Sequence, residues 1–261
     1  MGLFSGVGVA LVTIFDPDGK VDAEATARHA ADLVSRGMKS VLVNGTTGEA
    51  GTLSDDERIE LLMAVRAAIP AGIPVLAGTG GASTEVAVGL TKAALDAGAD
   101  VMLAYPPPGY AGTDALAVFH EIVAGAAGDK PVLAYHVPWV SAPGVPVDEL
   151  PNLPIAGIKD SSGSADRLLD ELAHYAGSVY VGSSALLALA GPMGGAGAIL
   201  ALANIEPERC VLAFDGDGAA QRGLAEAHLA VRAGGPTRLK QLLAQRSDYP
   251  ATSLRDSTPA C

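Results

Sequence analysis

Short runs of consecutive apolar residues recur along the chain, and longer stretches with helical spacing of apolar positions separate them. The runs are Val7–Phe15, Ser40–Asn44, Pro74–Gly78, Asp100–Ala104, Pro131–Tyr135, Ile155–Lys159, Val179–Gly182 and Ala198–Ala203. Continuous rather than alternating hydrophobicity marks strands buried on both faces, as in a parallel sheet. Helical patterns include Asp22–Ser35, Asp55–Ala68, Thr84–Ala97, Asp114–Ala127 and Ala165–Tyr175, and a capping box, Ser54 with Glu57, opens the second. Eight strand–helix rounds with right-handed crossovers predict an α/β fold, a single (β/α)8 TIM barrel. A doubly wound open sheet is the alternative, but no GxGxxG fingerprint follows the first strand.

Two further helical stretches follow the eighth strand, Pro207–Ala233 and Pro236–Gln245, and Asp215-Gly216-Asp217-Gly218 divides the first. The expected organisation is a barrel core over 1–206, a short C-terminal helical extension packed on it over 207–246, and an irregular tail over 247–261. Residues 179–205 carry no charge and are long enough to span a bilayer. Gly191-Pro192 and Gly194–Gly197 cut that stretch into pieces, which favours a buried strand, a short helix and a second buried strand.

Composition narrows the function. The 261 residues suit one barrel, and the formal net charge of −12 repels nucleic acid and anionic membranes. Cys210 and Cys261 build neither a disulfide framework nor a zinc site, and the five histidines show no metal-binding spacing, so no metal is expected. No basic segment precedes the apolar run in MGLFSGVGVALVTIF, so a cytoplasmic location is expected.

Barrel active sites lie at the C-terminal ends of the strands. Those ends offer Thr46 and Thr47, Thr79, Tyr105, Tyr135 and His136, Lys159 and Asp160, Ser183 and Ser184, and Asn204. Of the six lysines, Lys159 alone ends a strand. An apolar barrel wall disfavours its ammonium form and frees the amine as a nucleophile. The competing reading is an ion pair with Asp160 or a neighbouring carboxylate. Tyr135 ends the neighbouring strand, where a phenol can move protons during imine chemistry; alternatively it packs on the loop Val137-Pro138-Trp139. In Gly45-Thr46-Thr47-Gly48-Glu49 the glycines permit a tight turn whose amides and hydroxyls can cradle a carboxylate. An ST-turn that caps the next helix explains only part of this loop. Gly194–Gly197 lacks the phosphate-loop pattern, and close packing is its expected use.

Together, ALVTIFDPDGKVD, VNGTTGEAGTLSDDER, PVLAGTG, AYHVP, AGIKDSSG and GGAGAILALANI resemble the dihydrodipicolinate synthase / N-acetylneuraminate lyase family from Gly6 to about Asn204. The resemblance implies a class I lyase or aldolase that takes pyruvate or a related 2-oxo (sugar) acid as an imine on Lys159, with Tyr135 as proton relay. It further implies that Thr46 and Thr47 bind the substrate carboxylate, that the Thr47 hydroxyl joins the relay, that Ile199 touches the substrate through its backbone, and that Gly182 and Ser183 face the rest of it. No cofactor is implied, and the expected assembly is a homo-oligomer, a dimer or tetramer.

Three departures stand out. The family's YNVPxR pattern reads Tyr135-His-Val-Pro-Trp-Val140, with Val140 at the place of an arginine that binds the second substrate's carboxylate. Its PYY motif, which supplies a second relay tyrosine across a subunit interface, reads Pro106-Pro107-Pro108, with Tyr105 and Tyr110 nearby. The C-terminal region is also at least two helical turns shorter than usual. These departures favour an aldolase or dehydratase of 2-oxo sugar acids. Condensation of pyruvate with aspartate semialdehyde is the alternative, and a non-catalytic barrel that binds a 2-oxo acid is a third reading.

Overall fold

A computed structural model describes residues 3–110, 112–246 and 254–255, so the expected irregular tail lies outside the described residues except for Leu254 and Arg255. Eight strands form a closed parallel barrel in sequence order: β1 Gly6–Ala10, β2 Val41–Val43, β3 Val75–Gly78, β4 Val101–Ala104, β5 Val132–His136, β6 Gly157–Asp160, β7 Ser178–Val181 and β8 Gly197–Leu200. Strand β8 pairs with β1 in parallel register, Gly6 with Gly197, and so leaves no open edge. The continuous apolar runs are explained by burial on both faces. Leu42, Leu76, Leu103, Leu133, Tyr180 and Ile199 fill the interior, while Val9, Val41, Val75 and Met102 face the helices. Tyr180 closes the N-terminal end: its ring stacks on Phe4 at 4.5 Å and its hydroxyl donates to the Phe4 carbonyl at 2.9 Å.

Helices α1 Ala23–Ser35, α2 Asp55–Ala68, α3 Thr84–Asp96, α4 Gly112–Ala127 and α5 Ala165–His174 follow the expected segments to within a residue or two, and the Ser54–Glu57 capping box forms at the start of α2. The β5–β6 crossover departs from the repeat. It carries a single turn of 3-10 helix, Leu150–Asn152, because prolines at 138, 143, 146, 151 and 154 remove donors and clash with the preceding turn. Strand β1 is also shorter than its apolar run. Leu11–Phe15 stays buried as a loop held by Thr13 Oγ1 on the Gly48 carbonyl (2.6 Å) and the Ile14 amide on Thr26 Oγ1 (3.0 Å).

The uncharged 179–205 segment folds as β7, a short helix α6 Leu187–Ala190 and β8, and no helix among the described residues is long and apolar enough to cross a membrane. Beyond β8, α7 Pro207–Phe214 and α8 Gly218–Gly223 separate at the acidic Gly-containing break, where Asp217 caps α8 through the Ala219 and Ala220 amides. Helix α9 Ala225–Arg246 kinks at Gly235, whose φ of 56° and ψ of −149° only glycine adopts without strain. Asn204, one of the strand-end candidates, is a structural clamp. Its Oδ1 accepts from the Val12 amide and lies 3.2 Å from His29 Nε2, and its Nδ2 donates to the Ala10 and Ala201 carbonyls. All of its polar capacity is used in joining the exits of β1 and β8.

Candidate active site

In parallel register, Tyr135 on β5 lies directly beside Lys159 on β6, and His136 lies beside Asp160. Successive side chains on a strand point to opposite faces, so the first pair faces the barrel interior and the second faces the helix layer. Lys159 is 4% exposed, its Nζ lies 4.5 Å from the Tyr135 ring centroid, and among the described residues it forms no ion pair. Asp160 is not its partner. That carboxylate accepts from the Ser162 amide (2.7 Å) and hydroxyl (2.8 Å) and approaches Arg167 Nε at 3.7 Å, all behind the sheet.

Lys159, Tyr135, Thr46, Thr47, Gly182, Ser183 and Ile199 line one cavity of about 570 Å³ at the strands' C-terminal ends. The threonines sit on a tight turn, Thr46–Gly48, in which the Gly48 amide bonds to the Gly45 carbonyl and the Glu49 amide to that of Thr46. The first amides of such a turn have no internal acceptor, which leaves the Thr46 and Thr47 N–H groups at its open end. A side chain at Gly48 would bring Cβ to 2.9 Å from the Leu11 carbonyl oxygen, so a glycine lets the turn seat on the β1 exit. Neither threonine hydroxyl bonds to another side chain among the described residues. The Tyr135 hydroxyl instead accepts from Ser161 Oγ at 3.3 Å. Ser161 was not among the sequence candidates because it lies two residues past the expected strand end at Lys159. It fits there because Gly182 has no Cβ, which would fall 2.1 Å from Ser161 Oγ.

Two other tyrosines flank the missing relay motif. Tyr105 packs near Tyr135, with ring centroids 6.3 Å apart, whereas Tyr110 donates its hydroxyl to the Gly144 carbonyl at 2.5 Å. Val140 lines an adjoining cavity of about 590 Å³ with Tyr105 and Arg58, and that Arg58 guanidinium is bonded to the Ala50 and Leu53 carbonyls. Thr79, another strand-end candidate, is fully buried beneath the mouth.

Two supporting clusters had no signal in local spacing. Lys240, from the second half of α9, forms a buried ion pair with Glu49 (2.5 Å), and its Nζ lies 4.3 Å from the Phe15 ring centroid. Glu49 adopts the left-handed conformation, φ 56°, immediately after the threonine turn. Arg255 adds a bond from its amide to Glu49 (3.1 Å) and a two-pronged pairing with Glu57, which holds the Glu57 carboxyl down at about 2. Behind the sheet, Arg167 serves two buried carboxylates, Asp160 and Glu171 (2.9 Å). Burial, with Asp160 nearby, raises Glu171 to about 8, and burial with Arg167 nearby lowers His136 to about 4.

The model of the dihydrodipicolinate synthetase family matches residues 3–230. A 4-hydroxy-tetrahydrodipicolinate synthase from Salinibacter ruber is 35% identical over 218 residues, which cover 78% of this chain and 70% of the relative. The chloride-inhibited dihydrodipicolinate synthase of Acinetobacter baumannii, solved with pyruvate, superposes with a TM-score of 0.86 at 28% identity, covering 93% of this chain and 88% of the other. YagE of Escherichia coli, a prophage protein of the dihydrodipicolinic acid synthase family also solved with pyruvate, matches with a TM-score of 0.86 at 26% identity over 98% of this chain and 95% of its own.

Removing Lys240 leaves the buried Glu49 carboxylate with the Arg255 amide but without its ion-pair partner, a loss on the order of 3–5 kcal/mol. Lys240→Met is therefore expected to lower stability by about that amount in denaturant melts, and adding Glu49→Gln should recover a large part of it. For Glu171, the raised folded-state value means that the native state holds its proton more tightly than the unfolded chain. Stability is then lost as pH rises from the ordinary carboxylate range through about 8. Glu171→Gln should melt several degrees above the parent at pH 8, with ~2–4 °C for each kcal/mol in a chain of this size, and the gap should narrow steadily toward pH 5.5.

Proposed function

Because the chain belongs to the dihydrodipicolinate synthetase family, we propose that this lyase works by Schiff-base chemistry, holding pyruvate or a related 2-oxo acid as an imine on Lys159. The observation that carries the reading is a buried lysine with no carboxylate partner among the described residues, fixed beside a tyrosine at the mouth of a barrel. An amine in that position need not give up an ion pair before it attacks a carbonyl.

In this reading the substrate carboxylate lies against the Thr46 and Thr47 amides and hydroxyls, and its C2 carbonyl faces Lys159. The amine adds to C2 to give a carbinolamine, which loses water as Tyr135 transfers a proton to the departing hydroxyl. The resulting iminium accepts the electrons of a C3–H or a C3–C4 bond: either a C3 proton leaves, or the C4 hydroxyl gives up its proton and C3–C4 breaks to release an aldehyde, and the enamine formed is then protonated, or bonded to an acceptor, at C3. Water then releases the product and restores the amine. Ser161 supports this by holding the Tyr135 hydroxyl, and the reading gives the Thr47 hydroxyl, whose residue lines the same cavity, the next place on the proton path. Gly182, Ser183 and the Ile199 backbone line the space for the remainder of the substrate. The same reading takes the protein as a cytoplasmic homo-oligomer, a dimer or tetramer, that uses no cofactor.

Condensation of pyruvate with aspartate semialdehyde is a second reading, favoured by the name of the Salinibacter ruber relative. Val140 counts against it, since the residue at that position carries no charge to pair with the second carboxylate. A panel of 2-oxo sugar acids, beside pyruvate with aspartate semialdehyde, separates the two. The synthase reading prevails if only the condensation reaches a kcat/KM of about 10⁴ M⁻¹s⁻¹ or more.

Two outcomes test the mechanism. Pyruvate with borohydride should add a stable mass to the peptide containing Lys159 and none to Lys159→Ala protein; labelling elsewhere, or none, sinks the imine. Tyr135→Phe should still trap, though more slowly, while kcat falls by roughly 10²–10⁴-fold and KM changes less. A kcat within about threefold of the parent would make Tyr135 a packing residue.

A further inference from the structure

The chain carries 29 acidic against 17 basic residues, yet among the described residues no carboxylate lines the catalytic cavity. Its charged lining consists of Lys159 at the strand ends and Arg232 on the first half of α9. In so acidic a chain, a cavity free of Asp and Glu is an arrangement that the overall charge works against. It makes the site a local well for anions.

One anionic group is already provided for by the Thr46–Thr47 turn. Arg232 stands apart from that turn, on the α9 side, and among the described residues it makes no hydrogen bond or ion pair. Its neighbours are organised for a polar ligand. His228 is one helical turn earlier and on the same side of the helix, with Nδ1 2.8 Å from Ser184 Oγ. Gln221 fixes that serine loop by donating to the Ser184 carbonyl (2.9 Å) and accepting from the Ala188 amide (3.0 Å). Ser183 completes the wall next to Gly182. Pyruvate would fill only a small part of about 570 Å³, so most of this polar wall has no role in holding it.

We propose that Arg232, with His228, Ser183 and Ser184 beside it, forms a distal anion subsite, and that the preferred substrate is an extended 2-oxo acid carrying a second anionic group, carboxylate or phosphate, at its far end. This rests on the Schiff-base reading for its other half. Arg232 is a specificity residue here: it touches the substrate's remote end and leaves the reacting carbons to Lys159 and Tyr135. A guanidinium pairs with either anion through two parallel N–H bonds.

The test compares length-matched 2-oxo acids that end in a carboxylate or in a methyl group, together with a 2-oxo-3-deoxy sugar acid with and without a terminal phosphate. Dissociation constants from calorimetry and borohydride trapping at Lys159 are measured on the parent, Arg232→Ala and Arg232→Lys proteins. The parent should bind the dianionic members about 10- to 100-fold more tightly than their neutral-ended partners, as expected of a charge-assisted pair. Arg232→Ala should erase that preference with little change for the neutral-ended acids, and Arg232→Lys should restore part of it. Pyruvate trapping should be the same in all three proteins. The terminal anion that Arg232→Ala weakens most identifies carboxylate or phosphate. Equal binding of charged and neutral ends by the parent, or an equal loss of both in Arg232→Ala, overturns the subsite. If pyruvate fails to trap at Lys159 while the charged preference persists in calorimetry, the imine reading fails and the subsite stands.

Discussion

The register between β5 and β6 governs the rest of the site. Pairing Tyr135 with Lys159 fixes His136 against Asp160, and the pleat sends the two pairs to opposite sides of one sheet. A slip of one residue would place the carboxylate inside the barrel and the amine among the helices. The closed barrel forbids such a slip, because every strand is bonded on both sides and β8 returns to β1. Cavity shape, the unpaired amine and the buried charges behind the sheet all follow from that one alignment.

Two buried lysines show how surroundings divide one chemical group between different tasks. Lys240 meets Glu49 at 2.5 Å, and burial lowers its basicity while the carboxylate opposes that effect. It holds the backbone turn that presents Thr46 and Thr47. Lys159 is equally buried but meets an aromatic ring and a cavity instead of a counter-ion. The ring gives it a weak electrostatic neighbour and, unlike a carboxylate, is not an ion-pair partner that must be displaced.

Much of this was legible in the sequence. Continuous apolar runs locate all eight strands, and elimination among six lysines singles out Lys159, because a strand end in a barrel is a position that sequence can define. What escaped depends on residues far apart in the chain. Lys240 reads as one more helix lysine until the fold brings it to Glu49, and Asn204 reads as a mouth residue until His29 and Val12 use up its amide. Ser161 escaped for a shorter-range reason: its place depends on the missing side chain of Gly182 on the next strand. The β5–β6 crossover was counted as another strand–helix round, although its five prolines already ruled out a regular helix.

The bend at Gly235 separates two mechanical duties within α9. Before it lie His228 and Arg232, and beyond it lie Leu239 and Lys240, which anchor the helix to the barrel rim. Because the two halves do not share a continuous ladder of backbone bonds, replacements in the first half need not disturb the anchor. On the proposed role of Arg232, altering a single helical turn would exchange one substrate for another while the reacting centre is left intact. The glycine is thus the seam between the half of the helix that lines the cavity and the half that is bound to the rim.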